Sequence, residues 1–158
     1  MTSISKRSAT WAGVAAALFA GAAFAAALSG ADAAKDRVTH MKALGAAAKA
    51  LGDQMKSGSP DATVVKSEAA KVAQLASAMP TWFPKGSGVE SGAKTRALPL
   101  IWTDAAGFAS AQQTFAGEAG KLNAAAATGD MAGVGAQMRP VFGACKGCHD
   151  KFRGPEVT

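Results

Sequence analysis

Near its C-terminus the chain reads Cys145-Lys146-Gly147-Cys148-His149, and it has no other cysteine. Residues at i, i+3 and i+4 share one face of an α-helix, whereas in a strand the residue at i+3 points away from the other two. These three side chains therefore project together only if the segment is helical. The pattern is C-x-x-C-H, the attachment motif of c-type haem. Two thiols so placed can add to the two vinyl groups along one porphyrin edge, and the imidazole then reaches the iron from one side. Two other chemistries use part of the pattern. A dithiol redox pair uses C-x-x-C, but in a βαβ context and without need of the histidine. A zinc site needs further ligands, and His40 is the only other histidine.

The rest of the chain reads as helices that could carry such a segment. Val38, Met41, Leu44, Ala48, Leu51 and Met55 recur at steps of three and four, predicting a first helix over about 36–56 that Gly58 ends. Ser59 as cap, Pro60 at the first helical position and Asp61 in the first turn predict the start of a second, which Pro80 stops. Between Thr81 and Leu100, Pro84, Pro99, Gly86, Gly88 and Gly92 predict a long connection, with Trp82 and Phe83 pinning it to the core. Phe108, Phe115 and Leu122 repeat every seven residues, the seam of a third helix that Thr103 can cap. Asp130 can cap a fourth, running to about Arg153, in which Pro140 should produce a bend or a later start. No segment alternates as a strand would. The expected fold is all-α, an antiparallel four-helix bundle with haem bound near the C-terminus.

The first 33 residues do not read as part of that bundle. Lys6 and Arg7 precede an apolar run from Trp11 to Leu28, and Ala31-Asp32-Ala33 forms an A-x-A pattern before Ala34. That order predicts a secretory signal peptide over residues 1–33 and a bundle domain over 34–158. The competing reading is an uncleaved anchor, for which the run is short and mostly alanine. Export places the protein in the periplasm.

The formal charge of +6 falls by one when Lys6, Arg7 and Asp32 leave. A mildly basic surface steers toward acidic partners. Nucleic acid is not expected, because the lysines are dispersed and no basic run is interleaved with aromatics.

The stretch from Gly143 to Arg153, with its attachment motif close to the C-terminus, resembles the signature of class II c-type cytochromes, the cytochrome c′ and cytochrome c-556 proteins. Phe83-Pro84-Lys85-Gly86-Ser87-Gly88, Ile101-Trp102-Thr103-Asp104 and the segment from Gly129 to Cys145 are similar to the same family. The resemblance implies a four-helix bundle with one thioether-linked haem c on Cys145 and Cys148, and His149 as iron ligand. It further implies that Arg37 contacts the haem propionates and that Met41, four residues on, faces the sixth iron position. Methionine there is the pattern of low-spin c-556 proteins; an apolar residue there marks five-coordinate proteins that bind small gases. On spacing alone, Met41 is an ordinary core residue of an apolar stripe. Met55, Met79, Met131 and Met138 have no positional support as ligands, and His40 is expected on the exposed surface, about 100° around the helix from Met41.

The function expected from these residues is periplasmic electron transfer through a His149/Met41 haem, with an unidentified periplasmic or membrane-bound redox partner. The alternative is a five-coordinate haem protein binding nitric oxide or carbon monoxide. No catalytic constellation is present, so an enzyme is not expected. Monomer and homodimer both remain open.

Overall fold

The computed structural model describes residues 29–156. Four long helices carry the architecture: α1 (Gly30–Lys56), α2 (Ala62–Ala78), α3 (Ala105–Thr128) and α4 (Met131–Phe152). Among the described residues there is no strand, only an isolated antiparallel bridge between Ala97 and Arg153. The expected all-α bundle is what these residues form.

Each helix contributes an apolar stripe at steps of three and four. Leu44, Ala47 and Leu51 of α1 meet Val65, Ala69, Val72 and Ala76 of α2. Phe115, Ala119, Leu122 and Ala126 of α3 and Val134, Met138 and Val141 of α4 complete the same core. Fully burying a leucine or valine contributes about 1.5–3 kcal/mol, so this stripe supplies most of the driving force for packing. The alanines at Ala69 and Ala119 are wholly buried and let the backbones approach closely. A smaller cluster of Ile101, Phe108 and Phe152 closes one end, with Phe83 and Trp102 against it. Phe108 meets Phe83 and Phe152 edge-on at 4.7 and 5.0 Å between ring centres.

The helix starts differ in detail from the sequence expectation. α2 is capped by Asp61, not Ser59: its Oδ1 accepts from the N–H groups of Thr63 and Val64 at 2.8 and 3.2 Å. A carboxylate is the stronger acceptor and also favours the positive end of the helix. Thr103 ends a separate helical turn, Leu100–Thr103, and α3 is capped by Asp104, which accepts from Gly107 N–H at 3.0 Å. Asp130 caps α4 as expected, accepting from Gly133 N–H at 2.8 Å. Pro140 neither delays nor ends α4. Val134, Met138 and Val141 are buried on either side of it, so packing holds the helix through the lost hydrogen bond.

α1 begins at Gly30, with Ser29 as cap, so Gly30–Ala33, assigned above to the leader, form its first turn. A Cβ on Gly30 would collide with the Gly86 carbonyl of the connection. Residues 1–28 of the expected leader lie outside the described residues. Among the described residues no helix is long and apolar enough to cross a membrane.

The helices close on three sides. α1 packs on α2, α2 on α3 and α3 on α4, the last pair joined through Gly129 in the left-handed conformation at φ 76°. The backbones of α1 and α4 stand apart. The connection between α2 and α3 opens with a 3₁₀ turn, Met79–Trp82, and buries Trp82 as expected.

Candidate haem site

Helix α4 presents Cys145, Cys148 and His149 on one face, all half-buried. Cys145 packs against the main core, and Cys148 against the Phe108–Phe152 cluster, so the thiols straddle the junction of the two. Beside Cys148, an open groove runs between α3 and α4, and its α4 wall includes Gly143, Ala144 and Gly147. A Cβ on Gly143 or Gly147 would meet no atom within 4 Å. Packing of the polypeptide therefore does not demand glycine there, and the space next to the motif is open.

The electrostatics of the imidazole are consistent with ligation. Burial pushes both cysteine thiols above their ordinary value. The His149 imidazole is held below its ordinary value by burial first, then by the positive charges of Arg153 and Arg96. That keeps the ring neutral, the form that binds a metal. A neutral imidazole, two adjacent thiols, open space beside them and a separation of α1 from α4 together fit a thioether-linked planar cofactor.

Met41 lies one turn after Arg37 on α1 and packs against the same core cluster as Cys145. Arg37 is buried, and its guanidinium is engaged by the connection rather than by solvent. Nη1 donates to Trp82 O at 3.1 Å and Ser87 Oγ at 2.9 Å; Nη2 donates to Ser87 O at 2.8 Å and Thr95 Oγ1 at 2.9 Å. Its carbon Cζ sits 4.9 Å above the centre of the Phe83 ring. Burial lowers its proton affinity, and the charge of Glu90 partly offsets this. Of its five N–H donors, only Nε–H is left outside this set.

His40 is not a free surface side chain. Its ring stacks on Trp82 at 4.7 Å with 14° between planes, and Nε2 lies 3.1 Å from Asp36 Oδ2. Sequence reasoning also missed Ser87 and Thr95, which look like loop polar residues yet are buried partners of Arg37. It missed Gln112 as well. Gln112 is buried on α3 in the stripe of Phe108 and Phe115, and its Nε2 has no hydrogen-bond partner among the described residues.

Among known proteins, the cytochrome c′ family profile matches residues 32–153. The cytochrome c′ of Rubrivivax gelatinosus is 45% identical over 93 residues, covering 59% of this chain and 70% of that protein. The cytochrome c-556 of Agrobacterium tumefaciens is 33% identical over 125 residues, covering 74% of this chain and 90% of that protein. The crystal structure of the Rubrivivax gelatinosus protein superposes with a TM-score of 0.73 at 36% identity, over 79% of this chain and 97% of that one. A nitric oxide complex of a mutant cytochrome c prime from Alcaligenes xylosoxidans superposes at 0.74 and 29%, over 82% and 99%. A cytochrome c′ with ligand-controlled dimer dissociation superposes at 0.75 and 27%, over 82% and 100%. The matched residues hold the whole motif and all four helices, so the chain belongs to the cytochrome c′ family of class II c-type cytochromes, whose members carry covalently attached haem c.

Proposed function

We propose that Cys145 and Cys148 hold one haem c by thioether links, that His149 is its proximal ligand, and that the opposite face of the iron takes a small diatomic gas such as nitric oxide or carbon monoxide. When bound, the haem supplies a ferric/ferrous couple and an axial position for such a ligand. The observation that carries the reading is the half-buried Cys145–Cys148–His149 face, with an open groove beside Cys148, in a cytochrome c′ bundle. The relatives weigh on the same side, toward the alternative rather than the main expectation above: several are cytochromes c′, and several superposing structures are nitric oxide complexes of cytochrome c prime mutants.

The chain's own residues have separable tasks in this reading. Leu44, Trp82 and Phe115 exclude water from the core side. His149 stays neutral and so remains available to the iron. Met41 packs as an apolar wall near the distal side. Arg37 fixes the connection against α1, and a propionate contact has its Nε–H to use.

A second reading, an electron carrier with His149/Met41 ligation, is favoured by one specific observation: Met41 follows Arg37 by one turn and shares a core cluster with Cys145. The optical spectrum of the purified ferrous protein separates the two. A high-spin ferrous form that takes up carbon monoxide rapidly is expected. A low-spin form that resists carbon monoxide, and that Met41→Ala converts to high-spin, would overturn the gas-binding reading. Export through a leader over residues 1–33, and hence a periplasmic place, belongs to the same proposal; N-terminal sequencing of the secreted protein is expected to begin near Ala34.

A further inference from the structure

The first turn of α1 is part of the fold rather than a lead-in to it. Ser29 Oγ accepts from Asp32 N–H at 3.2 Å and donates to Asp32 Oδ2 at 2.6 Å, and Ser29 O accepts from Ala33 N–H at 2.9 Å. These bonds satisfy donors that a helix start leaves open, and the carboxylate stands at the positive end of the helix. The Gly30 backbone lies against the connection, where a Cβ would collide with Gly86 O and stand 3.3 Å from Ser91 Cβ. Ala33 and Ala34 are 4% and 1% exposed. A leader ending at Ala33 would take the cap, the close-fitting glycine and a buried alanine with it. It would also leave a charged amine on Ala34, where positive charge opposes the helix dipole and packed neighbours restrict its hydration.

We propose that the leader is cut upstream of this turn, after Ala25 or after Ala27, and that Ser29 stays in the exported protein. The proposal rests on the export reading above and moves its cut. Ala23-Phe24-Ala25 and Ala25-Ala26-Ala27 are both A-x-A patterns, the small-residue signature that leader-removing peptidases read. In the unfolded chain every such pattern is open, and the anatomy of the leader decides among them. A leader runs to about 15–30 residues, with an apolar stretch of about 7–15. A cut after Ala33 makes it 33 residues, with 18 from Trp11 to Leu28; a cut after Ala25 or Ala27 makes it 25 or 27, with an apolar stretch of 12 or 14 before the pattern. In the folded chain Ala31-Asp32-Ala33 is helical and Ala33 is buried, so the bond after Ala33 is closed to a peptidase. The step is hydrolysis: water adds across the cut amide, freeing a carboxylate on the leader and an amine on the mature chain. That amine then lies outside the first turn of α1.

The test is N-terminal sequencing and intact mass of the exported holoprotein for wild type, Ala25→Gln and Ala31→Gln, with thermal unfolding of wild type and Ser29→Ala. Ala25 is the last residue of one pattern and the first of the other, so Ala25→Gln disables both. Ala31→Gln disables only the pattern that ends at Ala33. Wild type and Ala31→Gln are expected to start at Ala26 or Leu28, and Ala25→Gln to lose that start. Ser29→Ala is expected to lower Tm by a few degrees, because the mature chain keeps the cap. A wild-type start at Ala34, loss of processing in Ala31→Gln, or an unchanged Tm in Ser29→Ala would overturn the proposal. So would a start at Ala23, after the A-x-A of Ala20-Gly21-Ala22. A wild-type chain that keeps its full length in the membrane fraction would overturn the export reading itself, an outcome distinct from all of these. Sequencing sees the start of the chain whether or not haem is attached, so the result does not depend on the haem placement.

Discussion

Arg37 grips Ser87 at two points, its Nη1 donating to the hydroxyl at 2.9 Å and its Nη2 to the carbonyl at 2.8 Å. With Trp82 O and Thr95 Oγ1 as further acceptors, one guanidinium ties three places of the connection to α1. Removing it leaves buried acceptors unpaired. Arg37→Ala is expected to cost about 3 kcal/mol in urea unfolding. Arg37→Lys keeps the charge but not the fork, and should cost most of the same. Faster amide exchange at Ser87 and Thr95 in both variants would locate the loss in the connection; unchanged stability would show that the fork holds nothing.

Gln112 is the converse case, a buried amide with a donor that nothing accepts. Gln112→Met keeps the volume and removes the orphan. It is expected to stabilise the protein by about 1–2 kcal/mol, because the desolvation cost of the unpaired donor disappears. A drop in Tm would mean that the amide has a partner in the loaded protein.

The Asp104 carboxyl sits below the ordinary carboxylate range, through its hydrogen bond from Lys151 Nζ first and from Gly107 N–H second. A group whose proton affinity falls on folding adds stability above its unfolded value, near pH 4, and that stability is lost as pH drops through the lower folded value. Asp104→Asn keeps the cap but not the charge, so its Tm should fall less steeply with acid than that of wild type. Parallel Tm–pH curves for the two proteins would refute the assignment.

Pro140 removes one hydrogen bond from the interior of α4. Pro140→Ala is expected to raise stability by about 1–3 kcal/mol, read from thermal unfolding. An unchanged haem spectrum would show that the proline is not needed to aim the motif; a lower Tm would show that the ring packs better than its absence.

The helices were legible because apolar spacing is a local signal and packing respects it. The seam of Phe115 and Leu122, the Asp130 cap and the motif face all follow from neighbours along one helix. What was not legible depends on contacts between distant segments. Ser87 and Thr95 are 50 and 58 residues from Arg37, and nothing near them in sequence marks them as buried. The Asp61 and Asp104 caps were each misplaced by one or two positions because adjacent hydroxyl and carboxylate residues compete for the same role. The stacking of His40 on Trp82 depends on where the connection turns, which helix periodicity does not encode.

The two-residue turn between α3 and α4 has a consequence for the order of assembly. Those helices are sequence neighbours and pack closely, so their hairpin can form from short-range contacts at small loop-closure cost. The connection can order only once α1 and α2 have docked, since its anchor lies 45 to 58 residues upstream. The half of the molecule bearing the cysteines is therefore expected to gain protection first in pulsed hydrogen exchange. In that interval the motif is already shaped while the far wall is not yet closed, which is the window in which a bulky planar group is admitted with least obstruction.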